Sequence, residues 1–142
     1  MSVTLAQATT IVDAALKKAR ELNQMAQTIV VLDAGGHVVC AKREDGSGII
    51  RFEVAVGKAY GALAVGKGSR WLHKQAAERP HFLEGLSGVS NGKIVPVPGG
   101  VLVKSKSGEL LGAVGISGDT SDNDEACAVH AIEGAGLVAA AE

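Results

Sequence analysis

The sequence predicts an α+β domain in which an antiparallel sheet is flanked by helices. Three observations carry that expectation. Apolar residues recur at helical spacing near the start, middle and end of the chain. β-Branched runs pair up around glycine turns. The elements follow the order helix, two strands, two helices, strands, helix.

The first helix opens on Thr4-Leu-Ala-Gln7, a capping box in which a hydroxyl and an amide satisfy orphan backbone groups. Leu5, Ala8, Val12, Ala15, Leu16, Ala19 and Leu22 mark one apolar stripe, so the helix spans residues 4 to about 24. Thr28-Ile-Val-Val-Leu32 and His37-Val-Val-Cys-Ala-Lys42 flank Asp33-Ala-Gly-Gly36, a hairpin whose turn uses glycine. The loop Asp45-Gly-Ser-Gly48 hands over to residues 49–65, which are apolar almost all round and therefore predict a buried central helix. Its few polar members are Arg51, Glu53, Lys58 and Tyr60. A shorter helix from Ser69 to Glu78 stops before Pro80, and residues 81–95 read as mostly irregular. A final helix is expected over residues 122–140.

Between these lies the most informative stretch. Pro96-Val-Pro-Gly-Gly100 leads into a strand, Ser107-Gly108 makes a tight turn, and a second strand runs to Gly118. In that second strand Leu110, Gly112, Val114 and Ile116 alternate with Leu111, Ala113, Gly115 and Ser117. Glycine weakens a strand interior, so a face of Ala113, Gly115 and Ser117 implies that another body comes close to the backbone. A helix of the same chain and a bound ligand both satisfy that requirement.

The 142 residues suffice for one domain with its own core, and 46% hydrophobic against 20% charged residues is the balance of a globular protein. A net charge of −1 gives no electrostatic reason to expect nucleic acid or an anionic membrane as partner. No apolar run reaches the length of a membrane span and Met1-Ser-Val-Thr-Leu5 has no signal-peptide pattern, which predicts a cytoplasmic protein. Cys40 and Cys127 are expected as free thiols.

Several motifs have a structural reading beside a chemical one. Gly61-Ala-Leu-Ala-Val-Gly-Lys67 nearly spells a phosphate loop, but Gly68 follows where Ser or Thr is needed, and the run lies in a helix rather than between strand and helix. Asp119, Asp122, Asp124 and Glu125 crowd a helix start, where carboxylates interact favourably with exposed amides. Their spacing does not fit a calcium loop. Cys127 and His130 share a helix face, yet no second pair completes a structural zinc site. His37 is expected to be exposed at its hairpin corner. All four aromatic residues, Phe52, Tyr60, Trp71 and Phe82, fall within residues 52–82 together with His73 and His81. That clustering fits either a lined pocket or a local aromatic core. Glu53 is the carboxylate of interest: burial would raise its pKa and suit it to proton transfer, while an ion pair with Arg51 or Lys58 is equally compatible. Glu53 and Lys58 are thus the catalytic candidates of an enzyme reading, a cofactor-independent isomerase or lyase acting on a small molecule by acid–base chemistry.

Taken together, several segments resemble the GlcG/HbpS family, which includes the C-terminal domain of PduO-type proteins. The resemblance rests on the Val-Val-Leu-Asp-Ala-Gly-Gly-His37 hairpin, Gly57-Lys58-Ala59-Tyr60, Pro96-Val-Pro-Gly-Gly100, Gly112-Ala-Val-Gly-Ile-Ser-Gly118 and Asp122-Asn-Asp-Glu125, and covers nearly the whole chain. It implies a profilin-like α+β domain with a five-stranded antiparallel sheet, helices on both faces, and assembly into homo-oligomers. It also implies binding of haem or a related tetrapyrrole, sometimes tied to redox sensing. Under that reading His73, His81, Trp71, Phe82 and Gly115 are the cofactor-binding candidates. The chain would supply an apolar slot and one axial ligand. One departure stands out: the opening helix has no histidine, whereas some tetrapyrrole-binding relatives use one there as an iron ligand.

Overall fold

The computed structural model describes residues 1–142. Five strands form a single antiparallel sheet in the order β2-β1-β4-β3-β5, where β1 is Thr28–Asp33, β2 Val38–Arg43, β3 Gly100–Lys104, β4 Leu110–Ser117 and β5 Val138–Ala140. Helices α1 (Leu5–Glu21) and α5 (Ser121–Gly134) cover one face. There Ile11, Val12, Ala15, Ala128, Ala131 and Ile132 pack on Ile29, Val31, Val101, Val103, Val114 and Ile116. Helix α2 (Arg51–Val65) lies on the opposite face, with Ala55, Ala59 and Ala62 against Val30, Leu32, Leu102 and Ala113. The five-stranded sheet with helices on both faces is therefore present.

Local chemistry explains the boundaries. The α1 capping box forms as the sequence requires: Gln7 N–H donates to Thr4 Oγ1 at 3.1 Å, and Thr4 N–H to Gln7 Oε1 at 2.9 Å. Thr120 Oγ1 caps α5 by accepting from the Asn123 amide at 3.2 Å.

Four expectations need correction. Residues 81–95 are not mostly irregular, because α4 spans Pro80–Val89 after α3 (Ser69–Glu78). Pro80 sits in the first turn of α4, where its missing N–H and fixed φ suit a helix start. The last helix ends at Gly134 rather than near residue 140: Gly136 takes φ +78°, and the chain then runs back as β5 beside β3. Strict alternation along β4 fails at its start. The β3–β4 register shifts between Val103 and Lys104, so Leu111 joins Val114 and Ile116 in one core while Leu110 packs beside Ala113 in the other. Finally, α2 is not buried all round. Its sheet-facing side is buried, but Phe52, Glu53 and Ala64 are exposed.

Candidate functional site

Helix α2 separates an inner, sealed polar cluster from an outer, open apolar surface. The inner side exists because glycine lets the helix settle onto the sheet. A Cβ on Gly115 would overlap the Ala55 carbonyl oxygen. The close-packed body that the small face of β4 calls for is thus α2 itself, and Gly115 lies beneath it.

Lys58 points inward from α2, its side chain 3% exposed, and meets Asp124 of α5, 1% exposed. Its Nζ donates to Asp124 Oδ2 at 3.0 Å and to the Ile116 carbonyl at 2.8 Å. Asp124 Oδ1 accepts from Gln27 Nε2 and from the Asp119 amide, both at 3.1 Å. Burial pulls the Lys58 pKa below its usual value, and the Asp124 charge opposes that pull. Gln27 Oε1 is buried without a partner. The loop before β3 closes over this cluster, with Ser69 Oγ donating to the Val97 carbonyl at 2.6 Å and accepting from the Gly100 amide at 2.8 Å. No cleft of the molecule is lined by Lys58 or Asp124.

Glu53 occupies the other side. It is exposed, so the buried setting that the proton-transfer reading requires is absent. Neither proposed ion pair forms, since Lys58 holds Asp124 and the Arg51 guanidinium donates to Ser117 Oγ at 3.2 Å. Glu53 and Lys58 are not brought into a common cavity.

The outer face carries a cleft of about 380 Å³ lined by Ile50, Phe52, Glu53, Val54, Val56, Gly57, Gly92, Lys93 and Val95. The segment after α4 forms its far wall. Val95 N–H donates to the Gly57 carbonyl at 3.2 Å, and a Cβ on Gly57 would run into the Val95 side chain. A second recess of about 200 Å³ lies further along α2 between Ala34, Gly35, Gly36, Tyr60, Leu63 and Ala64. Residues 53, 56, 60 and 63 share a helix face, which places both recesses on one stripe. The Lys93 ammonium, which lines the first, stands 5.5 Å from the ring centre of Tyr60, which lines the second. Sequence reasoning missed Val54, Val56, Lys93 and Val95. The signal was available in α2 itself, apolar on more sides than one sheet can cover.

The expected aromatic cluster is a local core. Trp71 and Phe82 meet edge to face at 6.2 Å and staple α3 to α4, with the Arg79 guanidinium 4.4 Å from the Phe82 ring. Both rings are half-buried, while His73 and His81 stand exposed on α3 and α4, and no cleft opens between these side chains.

At the tip of the first hairpin, Asp33 Oδ1 accepts from the amides of Gly35 and His37, each at 2.9 Å, and lies 3.2 Å from His37 Nδ1. These contacts, led by the His37 amide, hold the Asp33 carboxyl below its usual pKa. The four acids expected at the start of α5 all have protein partners. Asp124 holds Lys58, Asp122 and Glu125 hold Arg70, and Asp119 accepts the Met25 amide at 2.9 Å. Cys127 is buried and donates to the Ala15 carbonyl, whereas His130 points to solvent.

The family model of haem-degrading HbpS-like proteins matches residues 3–133. The chain belongs to that family. A 15.0 kDa protein from the dhaT–dhaS intergenic region of Citrobacter freundii is 30% identical over 132 residues, 93% of this chain and 91% of its own. The crystal structure of Klebsiella pneumoniae protein ORFY superposes with a TM-score of 0.85 at 29% identity, over 94% of this chain and 90% of that one. The PduOC:haem complex superposes with a TM-score of 0.86 at 25% identity, over 96% and 97%. No helix of this family member is long and apolar enough to cross a membrane.

Proposed function

We propose that this HbpS-like protein binds haem on the outer face of α2. The observation that carries the reading is the apolar cleft walled by Ile50, Phe52, Val54, Val56 and Val95, whose volume of about 380 Å³ lies in the range of ligand sites. Its donor chemistry suits a tetrapyrrole with acidic side chains: a greasy wall for the macrocycle and the Lys93 ammonium for a propionate. The family match and the similarity to a haem complex support the same ligand class. Haem would bring any redox chemistry, and the chain's part is to bind it, orient it and limit its contact with water.

Glu53 sits at the rim of this cleft rather than in a buried acid–base pair, and its charge disfavours an anionic group on that side. Ile49, 95% exposed, adjoins Ile50 of the cleft wall, 63% exposed, and the two offer apolar surface suited to self-association. The reading therefore includes a homo-oligomer whose contacts lie close to the haem. Sedimentation of the protein and of Ile49→Asp tests that part, a lighter species being expected for the variant.

The direct test is Val56→Glu, which puts a carboxylate in the middle of the wall at a half-buried position beside the α2-side core, with circular dichroism confirming that the variant is folded. Hemin affinity is expected to fall about tenfold or more. Binding as tight as in the unaltered protein would place haem elsewhere.

A further inference from the structure

We infer that the cleft on α2 recognises the porphyrin ring and its propionates but not the iron, so that it takes metal-free porphyrin as readily as haem. This inference rests on the haem reading above and narrows the ligand class to what the site can tell apart.

The chemistry of the lining carries it. Haem iron is held in proteins by imidazole, thiolate, thioether or phenolate groups. The cleft of about 380 Å³ has none of these in its lining. Ile50, Phe52, Val54, Val56 and Val95 are apolar, and Gly57 and Gly92 add no side chain. A Cβ on Gly57 would run into Val95, so the wall there is closed by packing and leaves no room for a coordinating group. The two polar members fail as iron ligands for separate reasons. Lys93 presents an ammonium, which donates and has no lone pair to give, and it faces the Tyr60 ring. Glu53 is exposed at the rim, where water competes for its oxygens.

Groups that do ligate haem iron stand elsewhere. None of the four histidines lines any recess of the molecule. His37 is tied to Asp33 at the hairpin tip, and His130 belongs to α5 on the opposite face of the sheet. Cys127 is sealed in the α1–α5 core, its thiol donating to the Ala15 carbonyl. Tyr60 lines the neighbouring recess rather than the cleft. What the cleft offers is therefore apolar burial and one cation for a propionate. The ring, its methyl and vinyl groups and its propionates are identical with and without iron. Apolar burial scales with the area removed from water and does not register a metal at the centre of the ring.

The test titrates the full-length protein in parallel with hemin, followed by absorbance, and with protoporphyrin IX, followed by its fluorescence. The same pair of titrations is run on Val56→Glu, Glu53→Gln, Tyr60→Phe and the four single His→Ala variants, with circular dichroism confirming the fold of each. The two affinities are expected to agree within about fivefold in the unaltered protein, and their ratio to stay there in every variant. Val56→Glu is expected to weaken both probes by the same factor. A difference beyond about fivefold in the unaltered protein overturns the inference while leaving haem binding intact. So does any variant that weakens hemin and spares protoporphyrin, because that residue then ligates the iron, whether from the same chain or from a second copy. No saturable change with either probe removes the haem reading and the inference together.

Discussion

Lys58 and Asp124 are both out of water, so each is tolerated only while the other stands ionised beside it. Removing one partner leaves an uncompensated charge. Asp124→Ala is expected to destabilise the fold by about 3–5 kcal/mol in urea unfolding, far more than Glu53→Ala on the exposed side of α2. Equal effects of the two would contradict the sealed-cluster description. Cys127 provides a pH-dependent counterpart. Burial pushes its thiol from 9.0 up to about 11, so the protonated form is favoured in the fold. A thiol of this kind contributes stability that is fully present below pH 9.0 and is lost as pH rises through about 11. Unfolding measured across that window should show a decline that Cys127→Ala removes. At this scale the sequence was legible in part. Lys58 stood out as a polar residue in an apolar run, but its partner lies 66 positions away among acids that read equally well as helix caps.

At the scale of elements, glycines mark which surfaces are in contact. A Cβ on Gly115 would meet backbone, which cannot yield, whereas one on Gly85 in α4 would meet nothing within 4 Å. Gly115→Ala is expected to destabilise by the upper end of about 1–3 kcal/mol through overpacking. Gly85→Ala should stabilise by about 0.5–1 kcal/mol through helix propensity alone. Thermal denaturation of the two variants decides both signs. The same glycines explain which elements were legible. The first hairpin, α1 and the β3–β4 hairpin declared themselves by capping, β-branched runs and tight turns. Helix α4 did not, because Gly85 and Gly88 dilute a pattern whose only buried side chain is Leu83. Strand β5 is three residues long, and only its pairing with β3 distinguishes it from a fraying helix end.

For the whole molecule, the sheet faces divide the labour. The α1–α5 face is filled by aliphatic side chains, while the α2 face is one helix deep and leaves that helix's outer stripe open. Sequence reasoning anticipated a small-residue face on β4 with a close body against it, and that body is α2 itself. Period-2 alternation indicates that something approaches Gly115 without saying whether it is protein or guest. The stripe through Val56 and Tyr60 becomes a site only after the segment around Lys93–Val95 folds back beside it, a contact that spans α3 and α4. Hydrogen–deuterium exchange of the protein with and without stoichiometric hemin tests this division most directly. Slowed exchange in residues 50–57 and 92–95, with α3 and α4 unaffected, is the predicted result. Protection confined to residues 69–89, or none anywhere, would contradict it.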